Sequence, residues 1–214
     1  MGELPFTVLV ILDVEAAARA GRSVVEQGLR ALDARRASSA AILVRMKDRP
    51  ASESADVVRA LRPACSARRA PLLVHTFVDV ARDEGADGVH LASTDDPRAA
   101  RAALGSTALV GWSRHGDDAL DDARVDACSY VTLSPFARPR SKEDARDVLG
   151  EDGFRARVQG ARVPVVALGG IAPGNVAAAR RAGAAATAVL GWVCGAADPA
   201  RALDAVVRAL DDDP

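Results

Sequence analysis

Arg45 and Lys47 stand two residues apart at the end of the apolar run AAILV. On a strand, that spacing sends both side chains the same way, so two cations converge on one spot. Lysine is rare in this chain: of 28 basic residues only Lys47 and Lys142 are lysine. A lysine offers a compact point charge that arginine does not replace, so the positions of these two carry information. Lys142 belongs to the stretch LSPFARPRSKED (133–144), which also holds Arg138, Arg140 and Ser141 beside two prolines. A basic loop of this kind can close over an anionic ligand and exclude water.

Further groups follow the same logic. His75-Thr76 ends one apolar run, and His90 lies inside another. His90 reads as a hydrogen-bonded interior histidine. Asp95 and Asp96 follow shortly after. Asp96 suits a helix cap before Pro97, while Asp95 suits Mg²⁺, which takes one or two carboxylates together with substrate phosphates. GWSRH (111–115) presents Ser113 and His115 without the GxSxG turn of a nucleophilic serine, so Ser113 reads as a phosphate donor. Gly169-Gly170, and Gly191 further on, can bring backbone N–H groups up to an oxyanion. The composite is a basic pocket for a phosphorylated or pyrophosphorylated small molecule, with Mg²⁺.

Eight short runs must position these groups: 6–12, 40–46, 71–75, 87–91, 107–112, 130–133, 163–168 and 186–192. They are mostly aliphatic or β-branched without clean polar alternation, as strands covered on both faces read. Between them lie helical stretches at 14–34, 51–68, 77–84, 97–103, 117–124, 143–158, 174–182 and 198–210. Asp13, Ser52 and Asp198-Pro199 suit helix starts, and Gly85 and Gly183 suit helix ends. Eight strand–helix units of about 27 residues predict an α/β fold, one (β/α)8 TIM barrel over residues 1–214. A doubly wound open sheet is the rival, but the first strand is not followed by GxGxxG. In a barrel, all three histidines, both lysines and the glycine pair fall at or near the active face, and a phosphate site after strands seven and eight recurs in this fold.

Composition bounds the alternatives. The formal net charge is -1, and 49% of residues are hydrophobic. The sequence therefore predicts neither a nucleic-acid binder nor a membrane protein, and it leaves a homo-oligomer open. Cys65, Cys128 and Cys194 are far apart, as reduced thiols of a cytoplasmic protein are.

The order of motifs resembles the thiamine phosphate synthase / TenI superfamily over nearly the whole chain. VRMKD (44–48), LLVHTFVDVARDEGADGVHLASTD (72–95), LVGWSRH (109–115), the spacing from Tyr130 to Lys142, and VPVVALGGIAPGNVAAARRAGAAATAVLGW (163–192) carry it. The resemblance implies a transferase that couples hydroxymethylpyrimidine pyrophosphate with thiazole phosphate and releases pyrophosphate. It implies that Arg45 and Lys47 hold pyrophosphate and that Asp95 binds Mg²⁺. Ser113, Ser141 and Lys142 would contact pyrophosphate, with Arg45, Ser113 and Lys142 catalytic, and His75 would lie among the substrate contacts. Gly169, Gly170 and Gly191 would hold the thiazole phosphate. The chain departs from the pattern at His75-Thr76, where the family usually has Asn-Asp, at Ala92-Ser93 for Gly-Gln, and at Leu43 for Gln. The sister branch implies the alternative, a thiazole tautomerase or a non-catalytic phosphate-binding barrel.

Overall fold

Each apolar run becomes a strand with one face for the barrel interior and one for the surrounding helices. The computed structural model describes residues 3–138 and 147–212. Its strands are β1 (Val8–Asp13), β2 (Ala40–Arg45), β3 (Leu72–His75), β4 (Gly88–Leu91), β5 (Leu109–His115), β6 (Tyr130–Ser134), β7 (Val165–Leu168) and β8 (Ala186–Val189). All pairings are parallel, in sequence order, and β1 pairs with β8 through Val8 and Thr187 to close the barrel. The fold is thus the (β/α)8 barrel that the strand spacing predicts.

Alternation divides the hydrophobic residues into two sets. Leu9, Ile11, Ala41, Leu43, Leu73, Tyr130, Val166, Ala186 and Ala188 fill the interior, with Phe6 packed beneath them. Their neighbours Val8, Val10, Leu12, Ile42, Val44, Val74, Val110, Val131 and Val165 face the helical layer.

The helices are α1 (Val14–Arg19), α2 (Val24–Leu32), α3 (Ala51–Arg68), α4 (Val78–Asp83), α5 (Pro97–Leu104), α6 (Gly150–Val158), α7 (Val176–Arg181), α8 (Gly191–Cys194) and α9 (Pro199–Asp211). The helix expected over 14–34 is two helices, because Gly21 takes a φ of 68° between them. The stretch expected as a helix at 117–124 instead gives a short 3-10 turn, Ala123–Ala127. The cap expected at Ser52 falls at Pro50, whose side chain has no acceptor for the first-turn amides. Asp13, Asp96 and Asp198 cap α1, α5 and α9 as the sequence suggests, and Gly85 and Gly183 follow α4 and α7 with positive φ.

Candidate functional site at the carboxyl ends of the strands

Followed upward, the inward-facing columns turn from apolar to polar. On β1 the order is Leu9, Ile11, Asp13; on β2 it is Ala41, Leu43, Arg45. The column on β5 reaches Ser113 and His115, and that on β6 reaches Thr132 and Ser134. The period of two therefore delivers a ring of polar side chains to the C-terminal mouth.

Asp13 and Arg45 are register partners and form an ion pair. Asp13 is nearly fully buried, and its Oδ1 accepts a hydrogen bond from the Ala16 amide at 3.0 Å. One carboxylate thus caps α1 and orients the Arg45 guanidinium, whose side chain remains 30% exposed at the mouth. The sequence marked Asp13 only as a cap. Its inward position, two residues after Ile11, was the signal for the second role.

Lys47 differs from expectation. β2 ends at Arg45, so Lys47 does not share its strand face. It is exposed, with Nζ 3.8 Å from Asp48, whose φ is 59°. The turn rather than the strand sets its direction.

His75 and His90 lie side by side in the register of β3 and β4, their rings 6.4 Å apart. His75 Nδ1 is 2.9 Å from Thr76 Oγ1. Burial, then the Arg45 charge, lowers its pKa to about 4, against opposing effects of Asp95 and Asp13. His75 is therefore a neutral imidazole at neutral pH. Full burial, with His75 and Arg45 adding to it, lowers His90 to about 3. His90 Nδ1 lies 3.1 Å from the Tyr130 hydroxyl, and Nε2 lies 3.0 Å from Ser113 Oγ. Gly111 makes this packing feasible, since a Cβ there would stand 2.4 Å from both His90 Nδ1 and the Tyr130 ring. His90 is thus the interior, hydrogen-bonded histidine that its apolar strand suggested. His115 Nδ1 lies 3.0 Å from Ser134 Oγ.

Asp95 closes the turn after β4, its Oδ2 accepting from the Ala92 amide at 2.9 Å. Among the described residues no group of three or more His, Cys, Asp or Glu side chains could hold a metal ion by itself.

The other side of the mouth is built from backbone. Gly169 and Gly170 have φ of 97° and 63°. Residues 135–138 cross directly over them: the Phe136 amide donates to Leu168 O at 2.8 Å and the Ala137 amide to Gly169 O at 3.0 Å. A Cβ would come within 2.9 Å of Pro135 Cα at Gly169 and 2.7 Å of the Ala137 carbonyl at Gly170. That crossing explains both glycines on its own. Asn175, which the sequence did not single out, locks the turn: Nδ2 donates to Gly170 O, and Oδ1 accepts from the Ala172 amide, both at 2.9 Å. Gly191 begins α8, and a Cβ there would meet nothing within 4 Å. Ser141 and Lys142, with Arg140, lie outside the described residues.

A parallel barrel whose polar groups converge on its carboxyl-end mouth defines the class: a (β/α)8 enzyme scaffold for a small anionic substrate. Residues 9–193 match the family described as thiamine monophosphate synthase. The chain belongs to this family, and so to a family of transferases. A thiamine-phosphate synthase of Moorella thermoacetica is 36% identical over 163 residues, covering 76% of this chain and 78% of that one. The thiamine biosynthesis bifunctional protein ThiM/ThiE of Symbiobacterium thermophilum is 38% identical over 167 residues, 78% of this chain, and the chain spans 35% of that protein's length. Among solved structures, the thiamine phosphate pyrophosphorylase of Pyrococcus furiosus superposes with a TM-score of 0.81 at 28% identity, over 97% of this chain and 96% of that one.

Proposed function

We propose that this barrel joins hydroxymethylpyrimidine pyrophosphate to thiazole phosphate and releases pyrophosphate. Besides membership of the family, the observation that carries this reading is Arg45, held by the buried Asp13 carboxylate at the barrel mouth that the β5 column ending in Ser113 also reaches. In the reaction the C–O bond to pyrophosphate breaks, and the leaving group keeps the electron pair. The thiazole nitrogen lone pair then forms the new N–C bond to the pyrimidine methylene. Charge builds on the departing pyrophosphate, so preoriented cations and hydroxyl donors at that point lower the barrier. Arg45 and Ser113 supply such groups. Lys47, Lys142 and Ser141 are assigned to the same anion on the family pattern alone. His75, uncharged and near Arg45, is assigned to the substrate contacts. Gly191, with open space at its α-carbon, and the backbone of Gly169-Gly170 are assigned to the thiazole phosphate.

A Mg²⁺ ion fits this site as the companion of pyrophosphate. Asp95 has Oδ1 to offer, and phosphate oxygens and water would complete the coordination. When bound, the ion supplies further neutralisation of the leaving group. The cytoplasm suits the three free, buried cysteines. No helix among the described residues is long and apolar enough to cross a membrane.

The test is pyrophosphate release by purified protein given both substrates, with and without Mg²⁺. Release that requires both substrates supports the reading. No release, with an absorbance change of a thiazole carboxylate supplied alone, replaces it by a tautomerase.

A further inference from the structure

The barrel interior contains a chain of three groups: Tyr130, His90 and Ser113. Tyr130 is fully buried, stacked on the His90 ring at 5.6 Å and touched edge-on by Phe6 at 5.6 Å. Its hydroxyl lies 3.1 Å from His90 Nδ1, and His90 Nε2 lies 3.0 Å from Ser113 Oγ. Thr132 Oγ1, at 3.5 Å from Nε2, sits at the limit of hydrogen-bonding range and weighs little in the choice between tautomers.

A neutral imidazole has one N–H and one bare nitrogen, so the chain can run in two directions. In one, the Tyr130 O–H donates to Nδ1 and the Nε2–H donates to Ser113 Oγ. Every buried donor is then used, and the Ser113 O–H is left to point outward. In the other, the Nδ1–H donates to the phenol oxygen and Ser113 donates inward to Nε2. That leaves the Tyr130 O–H without an acceptor in an apolar collar, a buried unsatisfied donor that hydrogen-bond energetics disfavours.

We propose that Tyr130 and His90 are positioning residues that hold Ser113 as a hydrogen-bond donor toward an anionic oxygen at the mouth of the barrel. The buried phenol selects the Nε2–H tautomer of His90, and that tautomer occupies the serine's acceptor side from within. The serine hydrogen therefore arrives already aimed at the diphosphate. This rests on the reading of Ser113 as a pyrophosphate contact, and it adds that the contact's direction is set two residues away, on β6.

Two measurements test it. Nitrogen-15 NMR of the ligand-free protein, with the three histidines assigned through His75→Gln and His115→Gln, reads the tautomer directly. Nε2 of His90 should be protonated and Nδ1 bare. A protonated Nδ1 overturns the relay, and this measurement needs no variant of Tyr130 to fold. The second is calorimetric binding of inorganic pyrophosphate. Ser113→Ala should bind about tenfold more weakly, Tyr130→Phe should reproduce most of that loss, and the double variant should lose no more than Ser113→Ala alone. Full affinity in Tyr130→Phe beside weakened Ser113→Ala overturns the relay but keeps the serine contact. Full affinity in Ser113→Ala removes the serine contact, and the relay with it.

Discussion

The two sides of the barrel mouth solve the same problem with different materials. From β1 to β5 the rim is made of side chains committed to partners: Asp13 to Arg45, His75 to Thr76, His90 to Ser113. Beyond β6 it is made of main chain, with residues 135–138 laid across Gly169 and Gly170 and the turn clamped by Asn175. Side chains at a mouth can be trimmed with modest cost to the fold, because water replaces them. A crossing of two backbones has no such freedom. Substitutions on the first side should therefore change ligand affinity, and those on the second should change stability.

The largest effect is expected at Gly170. A Cβ at φ 63° and 2.7 Å from the Ala137 carbonyl carries both a left-handed backbone penalty and a displacement of the crossing segment. Gly170→Ala should lower unfolding free energy by about 2–4 kcal/mol, measured by denaturant titration. A variant as stable as the wild type would dissolve the contrast between the two sides. Arg45→Ala comes next. Losing a charge-assisted contact should weaken pyrophosphate binding by about 1.5–3 kcal/mol in calorimetry, with a smaller change in melting temperature, since the opened mouth lets water reach Asp13. A stability loss exceeding that of Gly170→Ala would invert the comparison.

The paired histidines give a third, pH-dependent effect. Their folded-state pKa values, about 4 for His75 and about 3 for His90, lie below the ordinary 6.5. Between those limits the unfolded chain takes up protons that the folded barrel refuses. Stability should therefore fall as pH drops from 6.5 toward 4, with a slope approaching ~1.4 kcal/mol per pH unit for each histidine. Denaturation midpoints across that range measure it, and His90→Gln should flatten the curve. A curve equally steep in the variant would remove His90 from the effect. The smallest stability change is expected at Gly191→Ala, within about 0.5 kcal/mol, because its Cβ enters open space. The same substitution should weaken phosphate binding severalfold if a phosphate occupies that space. An unchanged affinity would confine the backbone side of the mouth to architecture.

Much of this was legible along the chain because strand chemistry is local. Apolar runs at even spacing imply a barrel, and the ends of those runs point to Arg45, Ser113 and His115 at its active face. Asp96 and Asp198 read as caps because capping needs only the next three residues. Lys47 shows the limit: its expected alignment with Arg45 assumed a strand two residues longer than the chain forms. The helix expected over 14–34 fails for a related reason, since a glycine inside an otherwise helical pattern does not say whether it is tolerated or used to turn.

By itself, the sequence determined the strand count, the polar ends of the interior columns and the family. Only the tertiary structure decided what those ends are joined to. Asp13 meets Arg45 across 32 residues, and Tyr130 meets His90 across 40. Gly170 faces Ala137 because two loops cross. Spacing fixes which way a side chain points within its own strand. The partner it meets depends on how neighbouring strands are registered around the barrel, and that is a property of the closed sheet.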